Sequence, residues 1–170
     1  MKARRSAHAA SKSPAPRPRA PAKPLALALQ IAARGAQVPK AAQVRRWLLA
    51  ALSQPAAVTV RIVGAAEARR LNRNYRGRDH ATNVLSFPYG AERKTLCGDI
   101  VLCAPVIRRE ARAQGKTPEA HFAHLTVHGA LHLQGHDHDK PRDAARMEAL
   151  EKKLLAKLGY PDPYRVNRES

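Results

Sequence analysis

The chain has 170 residues, 44% of them apolar, which suits one domain with a real core and leaves too little for two. No apolar run approaches the roughly 20 residues that span a bilayer, the basic N-terminus lacks the apolar block of a secretory signal, and two cysteines do not make a disulfide framework. Lysine and arginine number 31 against 13 acids, for a formal net charge of +18, and this points to a polyanionic partner because each neutralised phosphate releases counterion.

In chain order, residues 1–24 hold seven basic residues, five prolines and no acid. They cannot bury enough apolar surface to fold and read as a disordered basic tail. The composition also fits an organelle transit peptide; a bacterial extension is the preferred reading. Order begins at Leu25, where Leu25, Leu27, Leu29 and Ile31 alternate as a strand with one buried face. Residues 40–52 carry Ala41, Val44, Leu48 and Leu52 at helical spacing. Val58, Val60, Ile62 and Val63 form a second strand, and 65–74 a helix. Residues 83–88 and 99–103 read as strands, and 104–114 as a basic amphipathic helix. Thr117 and Glu119 start a helix that runs through the histidines to Gly135. The last helix covers about 143–158, with Met147, Leu150, Leu154 and Leu158 inward and Gly159 as its stop. Residues 166–170 are a short tail. The fold class is therefore α+β: a small mixed β-sheet packed with helices over 25–165. Cys97 and Cys103 read as two buried thiols in a reducing cytosol.

Residues 128–138 are the most informative stretch. His128 and His132, four apart, point the same way from a helix and can share one ion. His138 would lie some ~15 Å along a continuing helix. It reaches the same ion only if the chain turns back at Gly135, where a left-handed residue can end the helix. Three imidazoles leave one position of a tetrahedral zinc open, as in catalytic rather than structural sites, and a water there has a pKa of about 7. His124 lines the same face, but with His128 and His132 it spans roughly 12 Å, too long for one ion, so it reads as support or core. His136 reads as exposed. Asp137 could orient a ligand imidazole or simply cap the turn. The spacing equals that of the long zinc-protease motif, with Gly129 in place of the general-base glutamate, which argues against peptide hydrolysis.

A second segment, 71–88, holds a basic turn, Arg76-Gly77-Arg78-Asp79, leading through Thr82 and Asn83 into a strand. Arginine forks phosphate, and threonine and asparagine can donate to its oxygens. The two segments together strongly resemble the YbeY family of bacterial endoribonucleases, the rRNA maturation factors. The resemblance covers about residues 25–165. It rests on Leu71-Asn72, Tyr75-Arg76-Gly77, Asp79 and Thr82 to Pro88, on Gly98-Asp99-Ile100 with Cys103, on the histidine block, and on Leu158-Gly159-Tyr160 with Pro163-Tyr164. It implies one zinc on His128, His132 and His138, a zincin-like metal helix, and an arginine at 76 required for activity. It also implies single-strand-specific RNA cleavage in 16S rRNA 3′-end maturation and ribosome quality control, at the small ribosomal subunit in the cytoplasm. Arg76, Arg78, Thr82 and Asn83 are the expected substrate contacts. The basic extension lies outside the family pattern, and His80-Ala81 replaces a Lys-Pro-like pair. The rivals are a non-catalytic ribosome-assembly factor with a structural zinc, and a zinc peptidase. The attacking group, water or a 2′-hydroxyl, stays open, and nickel or iron would also suit three imidazoles.

Overall fold

Strand β1 (Leu25–Ile31) leads into α1 (Ala41–Ala51), β2 (Ala56–Val63), α2 (Ala65–Arg76), β3 (Val84–Tyr89), β4 (Leu96–Cys103), α3 (Ala104–Ala113), α4 (Pro118–Leu133) and α5 (Pro141–Leu158). The computed structural model describes residues 24–35, 37–90 and 94–165. The expectations for 1–24, apart from Pro24, and for 166–170 lie outside the described residues. The strands form one sheet in the order β1-β2-β4-β3. β1, β2 and β4 are parallel, and β3 pairs antiparallel with β4. The sheet is mixed, as the irregular interleaving of strands and helices predicts.

The period-two alternation of β2 and β4 splits the sheet into two unequal faces. Val58, Val60, Ile62, Ile100 and Leu102 point into the larger core with Trp47, Leu48, Phe122, Leu131, Met147 and Leu155. Fully burying each large side chain contributes about 1.5–3 kcal/mol, so this layer dominates stability. Val63, Leu85, Val101 and Cys103 point the other way, to Ala68 of α2 and Val106 of α3. Helix α4 is buried around most of its circumference, with eleven of its sixteen residues inside; it is the central helix of the larger layer. Thr117 caps its start by accepting from the Ala120 N–H at 3.1 Å. Among the described residues, no helix is long and apolar enough to cross a membrane.

Two glycines let α4 approach the sheet. A Cβ on Gly98 would stand 2.5 Å from Leu133 Cδ2 and 2.9 Å from the Phe87 carbonyl oxygen. Gly98→Ala is expected to destabilise the fold by ~1–3 kcal/mol through overpacking. Urea unfolding should show a lower midpoint at unchanged slope; an unchanged midpoint would mean that α4 can shift off the sheet freely.

The structure departs from the sequence reading in four places. β4 begins at Leu96, three residues before the apolar run, because its ladder with β2 and β3 extends through Cys97 and Gly98. The buried face of β1 fades along the strand, and Ile31 is 52% exposed, because β1 is an edge strand. The inward face of α5 is centred on Met147, Glu151 and Leu155, with Leu150, Leu154 and Leu158 half-buried beside it. Of the two thiols, both free, Cys103 is buried and Cys97 only half-buried.

Candidate metal centre

The end of α4 builds the site. Gly135 adopts φ +90°, the left-handed conformation that glycine takes without a Cβ penalty. The Gly135 N–H donates to the His132 carbonyl at 3.0 Å, and the His136 N–H to the Leu131 carbonyl at 3.1 Å. These two bonds are the Schellman pair that closes a helix and reverses the chain. Gln134 pins this turn to α1: its amide donates to the Ala51 carbonyl at 2.8 Å, and its oxygen accepts from the Ser53 N–H and hydroxyl. Asp137 accepts from the N–H groups of His138 and Asp139. Of its two possible roles, capping the turn is the one observed.

The reversal carries His138 back onto the helix face. Its Nδ1 lies 3.0 Å from His132 Nε2, which lies 3.1 Å from His128 Nε2. Two ligand nitrogens about 2.0–2.1 Å from a tetrahedral ion stand ~3.3 Å apart, so the spacing fits one small ion. These three side chains form a group able to hold a metal. The His132 imidazole is held at about 4 by burial and by the neighbouring His128 and His138, which leaves it neutral with a lone pair to give.

The partner of His128 comes from α5. Glu151 is fully buried, at 0% exposure. Its Oε1 accepts from His128 Nδ1 at 2.6 Å, and its Oε2 from His124 Nε2 at 2.7 Å. The Tyr164 hydroxyl donates to Oε2 as well. Burial alone pushes this carboxyl up, but the hydrogen bonds from His124, His128 and the Tyr164 hydroxyl outweigh it and hold it at about 2. An ionised Glu151 keeps the proton of His128 on Nδ1 and turns Nε2, as a bare lone pair, towards the other two histidines. The residues therefore fit a zinc-type ion held by three neutral imidazoles. His124 belongs to this support, as expected, although His124, His128 and Glu151 also form a compact group that could hold a metal.

Gly129 faces the sheet. A Cβ there would stand 3.0 Å from Ile100 Cγ2 and 3.1 Å from Ser86 Oγ. A glutamate at this position would drive into β3 and β4, so the missing general base of the proteases has a packing reason.

The second motif lies around β3. Arg76 ends α2 and Gly77 follows it at φ +67°, with its N–H on the Arg73 and Asn72 carbonyls. The side chains of Arg76 and Arg78 are exposed and make no hydrogen bond or ion pair among the described residues, while the Arg78 N–H donates to the Asn72 carbonyl at 3.4 Å. Arg69 grips Asp79 through two bonds of 2.8 Å, and the Asn72 amide donates to the His80 carbonyl, which fixes the loop. Thr82 is half-buried. The Asn83 amide is engaged, donating to both oxygens of Glu110 at 3.2 and 3.1 Å. Glu110 also bonds His121 Nε2 at 2.8 Å. The structure thus unites the three histidines; Arg76 ends α2, Arg78 lies in the loop after it, and neither side chain forms a hydrogen bond with them.

Sequence reasoning missed Glu151, Tyr164 and the Asn83–Glu110–His121 network. Glu151 carried a signal: it lies four residues after Met147 and four before Leu155, a carboxylate in the middle of a buried stripe.

A mixed sheet with three imidazole nitrogens converging where a buried helix ends defines a protein with a site able to hold a metal ion. The sequence model described as Endoribonuclease YbeY matches residues 33–159, and the chain belongs to that family. It is 62% identical over 129 residues to the endoribonuclease YbeY of Aromatoleum aromaticum, covering 76% of this chain and 83% of that protein. It is 55% identical over 147 residues to that of Methylibium petroleiphilum, covering 85% and 97%. A solution structure of a Thermotoga maritima protein aligns with a TM-score of 0.46 at 22% identity, over 81% of this chain and 99% of that one.

Proposed function

We propose that this chain is a zinc-dependent endoribonuclease that cuts single-stranded RNA during rRNA maturation, at the 16S rRNA 3′ end, and in ribosome quality control. Its partners in this reading are the rRNA precursor and the small ribosomal subunit, in the cytoplasm. The observation that carries it is the convergence of three imidazole nitrogens, oriented through Glu151, in a chain of this family.

The ion, when bound, supplies Lewis-acid charge and activates water near neutral pH. His128, His132 and His138 hold it, and Glu151 keeps the His128 lone pair aimed. Arg76 forks the non-bridging oxygens of the scissile phosphate, where charge grows in the transition state. Arg78 and Thr82 add contacts to the strand; Asn83 would have to release Glu110 to do the same. Residues 1–24 add sequence-independent attraction for the RNA backbone through seven bases and no acid.

Purified protein on a labelled single-stranded rRNA precursor tests the reading. Cleavage should vanish with chelator and return with zinc. Arg76→Ala should keep zinc and fold and lose cleavage by about 10²–10³-fold, with Arg76→Lys recovering only part. Binding without cleavage would favour the assembly factor, and wild-type rates in Arg76→Ala would remove Arg76 from the reaction.

A further inference from the structure

α2 covers only part of the smaller face of the sheet. Beyond it the ladder register sets two rows side by side: Ala26–Ala57–Cys97 and Ala28–Thr59–Asp99. Each row ends on β3 at an aromatic ring, Tyr89 beside Cys97 and Phe87 beside Asp99. Small side chains flanked by rings leave a trough of about 450 Å³. Tyr89 is 52% exposed, and its hydroxyl donates to Asp99, which fixes the ring. Tyr75, 67% exposed, meets Phe87 edge-on at 5.1 Å. The next residue is Arg76, exposed and without an ion-pair partner among the described residues.

Tyr89 also lines a second cavity, of about 530 Å³, on whose wall stands His132. Tyr89, on the edge strand, thus borders both the trough and the cavity that His132 lines. Among the described residues nothing is seen to pack over this half of the face, which is aromatic on one flank and carries Asp99 on its floor, with Arg76 next to Tyr75, in a chain of net charge +18. Bases of any identity stack on aromatic rings, while cations track the backbone.

We infer that this open half of the sheet is a base-binding track for single-stranded RNA, with Tyr89 and Tyr75 as stacking platforms that lead the strand to the metal centre. The inference rests on the endoribonuclease reading and adds where the unpaired bases go. It also supplies a physical reason for a single-strand requirement: a paired base cannot lie flat against Tyr89 and keep its partner.

The test measures fluorescence anisotropy of a short single-stranded 2′-O-methyl oligoribonucleotide, and of the same strand with abasic sugars. Wild type should prefer the base-bearing strand by about tenfold or more. Tyr89→Ala should erase most of that preference, and Tyr89→Phe, which keeps the ring, should retain it. Ala28→Glu, which sets a carboxylate on the exposed floor of the trough, should weaken base-bearing binding by a similar factor and remains decisive if Tyr89→Ala fails to fold. Equal binding of both strands by wild type, or full preference in Tyr89→Ala or Ala28→Glu, overturns the track alone. No RNA binding by wild type overturns the endoribonuclease reading, and the track with it.

Discussion

Protein carrying His132→Ala is expected to emerge from gel filtration without metal, where the wild type carries one ion per chain. His132 is the middle member of the trio, within 3.1 Å of His128 and 3.0 Å of His138. Structural zinc sites with four ligands bind with about 10–16 kcal/mol, or roughly 2.5–4 kcal/mol per ligand. Losing one ligand of three should therefore weaken zinc by about 10²–10³-fold. RNA cleavage should fall with it. The fold should persist, because alanine is a good helix former and His132 is not an anchor of the core. Thermal unfolding separates the two effects: added zinc should raise the wild-type midpoint by mass action and leave the variant unmoved. His124→Ala is the control and should keep its metal. One ion per chain in His132→Ala would refute the three-histidine site, and loss of metal in His124→Ala would shift it towards the His124–His128–Glu151 group.

What the sequence revealed of this site follows from how local each feature is. The pairing of His128 with His132 is a property of one helix turn, and the return of His138 is a property of Gly135; both are readable from a few consecutive residues. The strands of β2 and β4 were legible because their apolar alternation is strong, and the end of α5 because Gly159 takes a left-handed conformation, whereas α2 runs past the expected residue 74 to Arg76. Glu151 was hidden for the opposite reason. Its burial is a contact between α5 and α4, 23 residues apart in the chain, and a lone carboxylate among Met147 and Leu155 looks like a solvated position until its donors are known. The tight approach of α4 to the sheet at Gly98 and Gly129 is equally non-local. The same holds for Asn83, whose amide looked free in the sequence and is bound to Glu110 on α3. Arg76 lies between these cases: the sequence places it in a basic turn and the structure at the last position of α2, while its approach to a phosphate depends on where the RNA lies.

Glu151→Gln should weaken zinc binding by 10–100-fold, the range found when the carboxylate behind a ligand histidine is changed. The substitution preserves shape and changes only which atoms accept. The carboxylate takes hydrogens from three sides: His128 Nδ1, His124 Nε2 and the Tyr164 hydroxyl. An amide has one accepting oxygen and sets its own N–H hydrogens against a donor. If that donor is His128, its proton moves to Nε2 and occupies the position that should face the metal. The buried mismatch should also cost ~1–3 kcal/mol of stability in the metal-free protein. Tyr164→Phe removes one donor and leaves both histidines held, so it should lower stability modestly with little change in zinc affinity. A competition titration against a chromogenic chelator, paired with metal-free thermal unfolding, reads the two quantities apart. If Glu151→Gln and Tyr164→Phe lost similar stability and bound zinc like the wild type, Glu151 would be a buried strut and not the group that aims His128. If Glu151→Gln lost zinc while Tyr164→Phe kept it, the buried carboxylate of α5 would stand as part of the metal centre, reaching the ion through one imidazole.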